Sequence, residues 1–246
     1  MSNIKGKVAF VTGANRGIGR AFVEELITAG ASKIYAAARD VDKLSDLVKQ
    51  SEGKVIPVTL DVNQPDTIKS IANDFKDISL LINNAGIARF TSFMTAPSLD
   101  DARDEMETNY FAPLNMIRAF APVLKANGGG AIVNISSVAG YLNFPALGSY
   151  SASKAAVHSL TQGVRAELAA QGTHVVGVYP GPIDTDMTAG LPLDKTAPSS
   201  VVKAVLEAVE NNIEDVYPDP MAVEFHAGFL SDPKALEKQV GEMLPE

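Results

Sequence analysis

The stretch Val8-Ala9-Phe10-Val11-Thr12-Gly13-Ala14-Asn15-Arg16-Gly17-Ile18-Gly19-Arg20 decides the fold: an apolar run ends in a glycine-bearing turn and passes directly into an amphipathic segment. Val8–Val11 reads as a buried strand, and the spacing of apolar residues over Ile18–Ala29 reads as a helix. Glycines in such a turn allow tight bending and close approach of the backbone to a ligand. The helix that follows presents free N–H groups and the positive end of its dipole to an anion. Strand, glycine turn and helix together are the context that a dinucleotide phosphate site requires. The spacing here, Gly13-x-x-x-Gly17-x-Gly19, is a variant of the general Gly-x-Gly-x-x-Gly fingerprint.

Outward from this turn, short β-branched runs alternate with longer amphipathic stretches. Ile34–Ala37, Val55–Thr59, Leu80–Ile82, Ala131–Ile135 and Val175–Val178 read as further buried strands. Helices are expected over Leu99–Lys125 and Tyr150–Gln171, with shorter ones over Thr67–Phe75, Val201–Val209 and Pro233–Met243. Strands separated by helix-length intervals imply right-handed βαβ units, hence an α/β, doubly wound parallel sheet of the Rossmann type. One domain over 1–246 fits the length, with a cofactor half to about residue 135 and a catalytic and substrate half over 136–246. Ligands in such sheets sit beyond the carboxyl ends of the strands. Pro180-Gly181-Pro182 breaks the chain after the sixth of these runs, and the loop through Gly190-Leu191-Pro192 is a candidate lid.

Composition narrows the function. A net charge of −8 without a basic cluster argues against nucleic acid and acidic membrane surfaces as partners. With no cysteine, thiolate catalysis, disulfides and cysteine zinc sites are excluded. His158, His174 and His226 are scattered without ligand spacing, so no metal site is expected. The N-terminus offers no signal-peptide pattern and no apolar run approaches a membrane span, so a cytoplasmic location is expected. The acidic cluster Asp100–Glu105 reads as a solvated helix start, favourable with the helix dipole.

The glycine turn is one of several linked motifs. Asp61-Val62 closes the third strand, Asn83-Asn84-Ala85-Gly86 the fourth and Ser136-Ser137 the fifth; Tyr150-Ser151-Ala152-Ser153-Lys154 and Pro180-Gly181 follow. In order and spacing, from Lys7 to about Thr185, the set resembles the short-chain dehydrogenase/reductase family. The resemblance implies a nicotinamide dinucleotide held by Gly13, Asn15, Arg16, Gly17, Ile18 and Gly19. It places Asp61 and Val62 at the adenine, and Ala85 and Gly86 along the cofactor. Asn83 is matched equally by a binding and a structural role, and Asn84 suits the sheet centre. Pro180 and Gly181, after the sixth strand, also contact the cofactor, and Ile183 and Thr185 meet the carboxamide.

At the end of the second strand, an acid holds the ribose hydroxyl in NAD sites, whereas arginine accommodates the phosphate of NADP. The sequence there is Ala38-Arg39-Asp40. Arg39 can fork onto a phosphate, with Arg16 approaching from the glycine turn, so NADP(H) is the expected cofactor. A one-residue shift of the strand end would set Asp40 against the ribose instead.

Tyr150 and Lys154 lie four apart at the start of an expected helix and share one face. Taken alone, such a pair is common surface decoration. A nearby ammonium favours phenolate and brings a tyrosine toward useful acid–base range. The resemblance adds Ser137 as the serine that donates to the substrate oxygen, strand alternation leaving only one of Ser136 and Ser137 facing the site. It also adds Asn109, which bends its helix and holds a water leading to Lys154. The implied reaction interconverts a ketone or aldehyde with its alcohol. Tyr150 is the general acid in reduction, and Lys154 lowers its pKa and binds the nicotinamide ribose. Phe90, Leu142, Phe144, Met187 and Leu191 are expected to line an apolar pocket for an apolar or aromatic small-molecule substrate. A homo-oligomer, dimer or tetramer, is expected by analogy. A non-catalytic NADP-binding sensor or scaffold has no need of the acid–base group, and an epimerase or dehydratase of the extended branch normally has a longer C-terminal region. The segment from Pro218 to Glu246 matches nothing in the pattern.

Overall fold

The computed structural model describes residues 3–244. Its sheet is all parallel, in the order β3-β2-β1-β4-β5-β6-β7. The strands are β1 (Val8–Thr12), β2 (Lys33–Ala38), β3 (Val55–Thr59), β4 (Leu80–Asn83), β5 (Gly130–Ile135), β6 (Thr173–Val178) and β7 (Asp215–Val216). The nine α-helices described are α1 (Gly17–Thr28), α2 (Ser45–Gln50), α3 (Pro65–Asp74), α4 (Asp100–Met106), α5 (Ala112–Ala126), α6 (Gly148–Leu168), α7 (Pro198–Asn211), α8 (Pro220–Ser231) and α9 (Pro233–Gly241). None of the described helices is long and apolar enough to cross a membrane.

Strands buried on both faces need apolar residues at every position, and β1, β4 and β6 meet that need with almost uninterrupted runs. Phe10, Leu81, Ile132 and Val175 point to one face, where they meet Ile68, Met116, Ile117 and Phe120 from α3 and α5. Val11, Ile82, Val133 and Val176 point to the other and meet Phe22, Val23, Leu26, Val201 and Val205 from α1 and α7. The strand order reverses beside β1, where β4 rather than β3 is its second neighbour. This opens the crevice in which doubly wound sheets bind ligands.

The structure departs from the periodicity in four places. The long helix expected over Leu99–Lys125 is interrupted by a π-helical turn, Glu107–Phe111, centred on Asn109. Pro113 has no N–H, so it cannot donate to the Asn109 carbonyl one turn earlier, while Ala112 donates instead to Glu107. β7 has only two residues, too short to produce a period. The segment after β2 forms a 3₁₀ turn (Val41–Leu44) running into α2. Finally, α8 occupies a stretch that periodicity left unassigned, although its start, Asp219-Pro220, is an N-cap followed by proline in the first turn.

Candidate active site

A cleft of about 520 Å³ runs along the carboxyl ends of β1, β2, β4, β5 and β6. At its base Gly13 and Gly17 adopt positive φ, +65° and +54°, in the left-handed region that glycine tolerates. A Cβ on Gly17 would meet Thr185 Cγ2 at 3.1 Å, and one on Gly19 would fall 2.1 Å from the Gly13 carbonyl oxygen. Neighbouring polar groups fix the turn. Thr12 Oγ1 accepts the N–H groups of Asn84 (3.0 Å) and Ala85 (3.1 Å), and Asn84 Nδ2 donates to the carbonyls of Thr12 (2.9 Å) and Gly13 (3.2 Å). The helix that leaves this turn, α1, starts at Arg16 without a side-chain cap and has no acidic residue in its first turn. Its N–H groups are therefore offered outward to an anion. A cradle that any Cβ would fill, backed by an uncapped helix, fits the pyrophosphate of a dinucleotide.

Beyond the end of β2, Arg39 is exposed and forms no ion pair among the described residues. The Asp40 carboxylate is engaged by the next turn: it accepts the N–H of Asp42 (3.2 Å) and lies 3.7 Å from Lys43 Nζ. Lys43 also lines the cleft, a cation that the motifs did not indicate. Arg16 reaches across to Asp186 (3.1 Å), both largely exposed, so the pair is worth well under about 1 kcal/mol and yields readily to a bound phosphate. Asp61 caps its own loop by accepting the N–H of Asn63 (3.0 Å), and Asn63 in turn donates to Thr108 (3.0 Å).

At the other end, Ser137, Tyr150 and Lys154 share the cleft wall. Ser137, two residues beyond β5, donates to the Pro180 carbonyl (3.3 Å), while Ser136, which also borders the cleft, sends its hydroxyl to the Lys154 carbonyl (3.0 Å). Lys154 Nζ sits 5.6 Å from the centre of the Tyr150 ring and donates to the Ile135 carbonyl (2.8 Å). Burial lowers its pKa to about 8. Burial pushes the Tyr150 phenol up to about 12; the Ser137 hydroxyl opposes this and the charge of Glu105 adds to it. Asn109 does not line the cleft. It is buried behind the wall, where its amide accepts the N–H of Ile87 and donates to the Ile87 carbonyl and Ser153 Oγ, each at 2.9 Å.

The cleft thus brings together Gly13, Asn15, Arg16, Gly17, Ile18, Arg39, Asp61, Val62, Ala85, Gly86, Pro180, Gly181, Ile183 and Thr185 with Ser137, Tyr150 and Lys154. Gly19 and Asn83 lie outside it. Gly19 packs under the turn, and Asn83 is buried in the sheet, donating to Asn134 Oδ1 (2.8 Å). Of the five apolar residues assigned to a substrate pocket, Met187 alone lines the cleft. Phe144 stacks on Phe225 of α8 (5.6 Å), and Leu142 packs in the same cluster, on an apolar face that the C-terminal helices supply. Phe90 is 41% exposed at φ +56°, and Leu191 lies in the loop beyond the 3₁₀ turn Asp186–Thr188.

The acidic cluster also needs correction. Glu105 is 1% exposed rather than solvated, held by the Arg89 N–H (2.7 Å) and the Ser149 hydroxyl (2.5 Å). Another buried acid, Asp219, accepts the N–H of Gly181 (2.8 Å) while capping α8 through Ala222 (2.9 Å), tying the C-terminal segment to the cleft. The three histidines are not assembled for a metal, and among the described residues no cluster of ligating side chains occurs.

Comparison with known proteins agrees with this architecture. A family model described as short chain dehydrogenase matches residues 7–196. A short chain dehydrogenase from Burkholderia cenocepacia, crystallised with NADP, superposes with a TM-score of 0.92 at 44% identity, covering 98% of this chain and 99% of that one. A Burkholderia phymatum member crystallised with NAD gives a TM-score of 0.84 at 26% identity, over 94% and 96% of the two chains. The NADP-dependent 3-hydroxy acid dehydrogenase of Schizosaccharomyces pombe is 32% identical over 76% of each chain. With its parallel sheet, its dinucleotide cleft and a family match over most of its length, this chain belongs to the short-chain dehydrogenase family of oxidoreductases.

Proposed function

We propose that the protein is an NADPH-dependent carbonyl reductase that interconverts a neutral ketone or aldehyde with its alcohol. The observation that carries this reading is the convergence of Ser137, Tyr150 and Lys154 on one wall of the cleft whose opposite end holds the uncapped helix and Arg39. Arg39, with Lys43 beside it and Asp40 occupied by its own turn, favours the extra phosphate of NADP. Bound in this cleft, the dinucleotide supplies the hydride. Ser137 donates to the carbonyl oxygen and Tyr150 delivers the proton to it. Lys154, whose pKa burial lowers to about 8, still carries its charge near neutral pH, where it would hold the ribose hydroxyls and draw the phenol toward phenolate. Asn109, fixed by Ile87 and Ser153, holds the π turn behind Lys154 open as a route for proton return.

The preference for neutral substrates rests on the charges near Tyr150. Arg89, the arginine that follows Gly86 in the cleft wall, is already paired with Asp104 (2.9 Å) and Asp101 (3.6 Å), and the cleft's other arginines, Arg39 and Arg16, belong to the phosphate end. Assembly as a homo-oligomer belongs to the same proposal, on family analogy. Following NADPH and NADH oxidation against aldehydes, diketones, bulky ketones and keto acids tests the reading. Turnover of neutral carbonyls with NADPH is expected. Keto acids as the only substrates, or NADH as the better donor, would overturn it.

A further inference from the structure

Glu105 sits at the end of α4 as a buried carboxylate without a cation. Its partners are a backbone N–H and a serine hydroxyl, and among the described residues it forms no ion pair. Arg89, whose amide it accepts, sends its guanidinium outward to Asp101 and Asp104 instead. Burying an unpaired charge is costly and only partly offset by two hydrogen bonds, and an apolar side chain of similar size would pack there without that cost. Ser149, which donates to Glu105 Oε2, immediately precedes Tyr150 in α6. A negative charge held against the residue that precedes a tyrosine disfavours the ionised form of that phenol.

Accepting the role of Tyr150 given above, on which this step rests, we infer that Glu105 is a positioning residue whose fixed charge keeps Tyr150 protonated and so sets the pH at which alcohol oxidation begins. The groups around Tyr150 divide by sign. Lys154, on its own helix, and the Ser137 hydroxyl, from the end of β5, favour phenolate. Glu105, from α4, opposes it. Arg89, Asp104 and Asp186 lie on the cleft wall, each engaged in an ion pair of its own. The upward displacement of the Tyr150 pKa has the charge of Glu105 among its causes, after burial.

Glu105→Gln keeps the shape and can retain both hydrogen bonds while removing the charge. Two measurements on it are decisive: the pH profile of kcat/KM for oxidation of a secondary alcohol with NADP+, and a titration of phenolate ultraviolet absorbance in the cofactor-free protein. The second is taken as the difference from Tyr150→Phe, which isolates this one phenol. Both midpoints are expected to move to lower pH, giving about threefold to tenfold more phenolate at a fixed pH on the rising limb. Glu105→Met, a second charge-free form, should move them the same way. A lower kcat at an unchanged midpoint would assign Glu105 a purely structural part and overturn the inference, as would failure of both variants to fold. Full activity in Tyr150→Phe would instead overturn the reading of Tyr150, while the absorbance titration would still report on Glu105.

Discussion

The two ends of the cleft are built from opposite materials. The phosphate end is made of backbone and of absences: glycines without Cβ, and a helix whose N-terminus has no cap of its own. The reactive end is made of side chains, nearly all buried and each held by a named partner: Ser137 by Pro180, Lys154 by Ile135, Asn109 by Ile87. The contrast is sharpest against the two C-terminal helices. α8 and α9 begin on Asp219 and Asp232, whose carboxylates close their own N-termini, whereas α1 begins on Arg16 and leaves its N–H groups open. A site made of absences is damaged by adding an atom; a site made of side chains is damaged by removing one.

The largest effect is therefore expected from a single methyl. Gly19→Ala sets a Cβ 2.1 Å from the Gly13 carbonyl oxygen, a backbone atom that cannot turn aside. The turn must shift, and NADPH binding, followed by fluorescence titration, should be lost altogether along with several degrees of thermal stability. Unaltered binding would show that the cradle is looser than its geometry. At the other end, Tyr150→Phe removes one oxygen. Reduction should slow by about 10³-fold, within the range typical of a general acid, while NADPH binds within a factor of about three of the parent. Loss of binding in this variant would break the separation between the ends. A smaller effect is expected from Arg39→Asp at the rim of the phosphate end. Removing a charge-assisted contact costs about 2 kcal/mol, or roughly thirtyfold in NADPH affinity, with NADH affinity unchanged or improved. An equal loss for both cofactors would remove Arg39 from the discrimination.

The same division explains what could be read before folding. The glycine turn, the strand ends and the Tyr150–Lys154 spacing are local patterns, and the sheet follows from strand and helix periods that hold over most of the chain. What escaped was set by contacts between distant segments. Glu105 looked like one more acid in a polar run, because only Ser149 and the Arg89 amide, 44 and 16 residues away, give it a buried place. Phe144 and Leu142, expected at the substrate pocket, pack with Phe225 of α8, a contact that no local pattern announces. Two signals were present and legible: Pro113, which forbids a continuous helix through Asn109, and Asp219-Pro220, which announces α8.

The smallest effect tests whether the reactive end bears the cost of its own burial. Lys154 is 5% exposed and its pKa falls from 10.5 to about 8, so the folded protein resists protonation that the unfolded chain accepts. Where the unfolded state binds more protons, stability rises with pH. The penalty is thus fully present below about pH 8 and is relieved as the pH climbs from there toward the unfolded value. Between about pH 7.5 and 9 the relief amounts to about 1 kcal/mol. Lys7 shifts in the same direction, and the raised tyrosines act only near pH 10 and above, where folded Tyr150 holds its proton longer and stability falls again. Urea unfolding of the cofactor-free protein and of Lys154→Met at both pH values isolates the lysine, since the other groups cancel in the difference. The Met form should be the more stable at the lower pH, with its advantage shrinking by about 1 kcal/mol at the higher. A constant difference would mean that the folded protein holds the Lys154 proton as firmly as the unfolded chain does, its burial fully compensated. The two ends of the cleft would then differ in construction but not in the strain they carry.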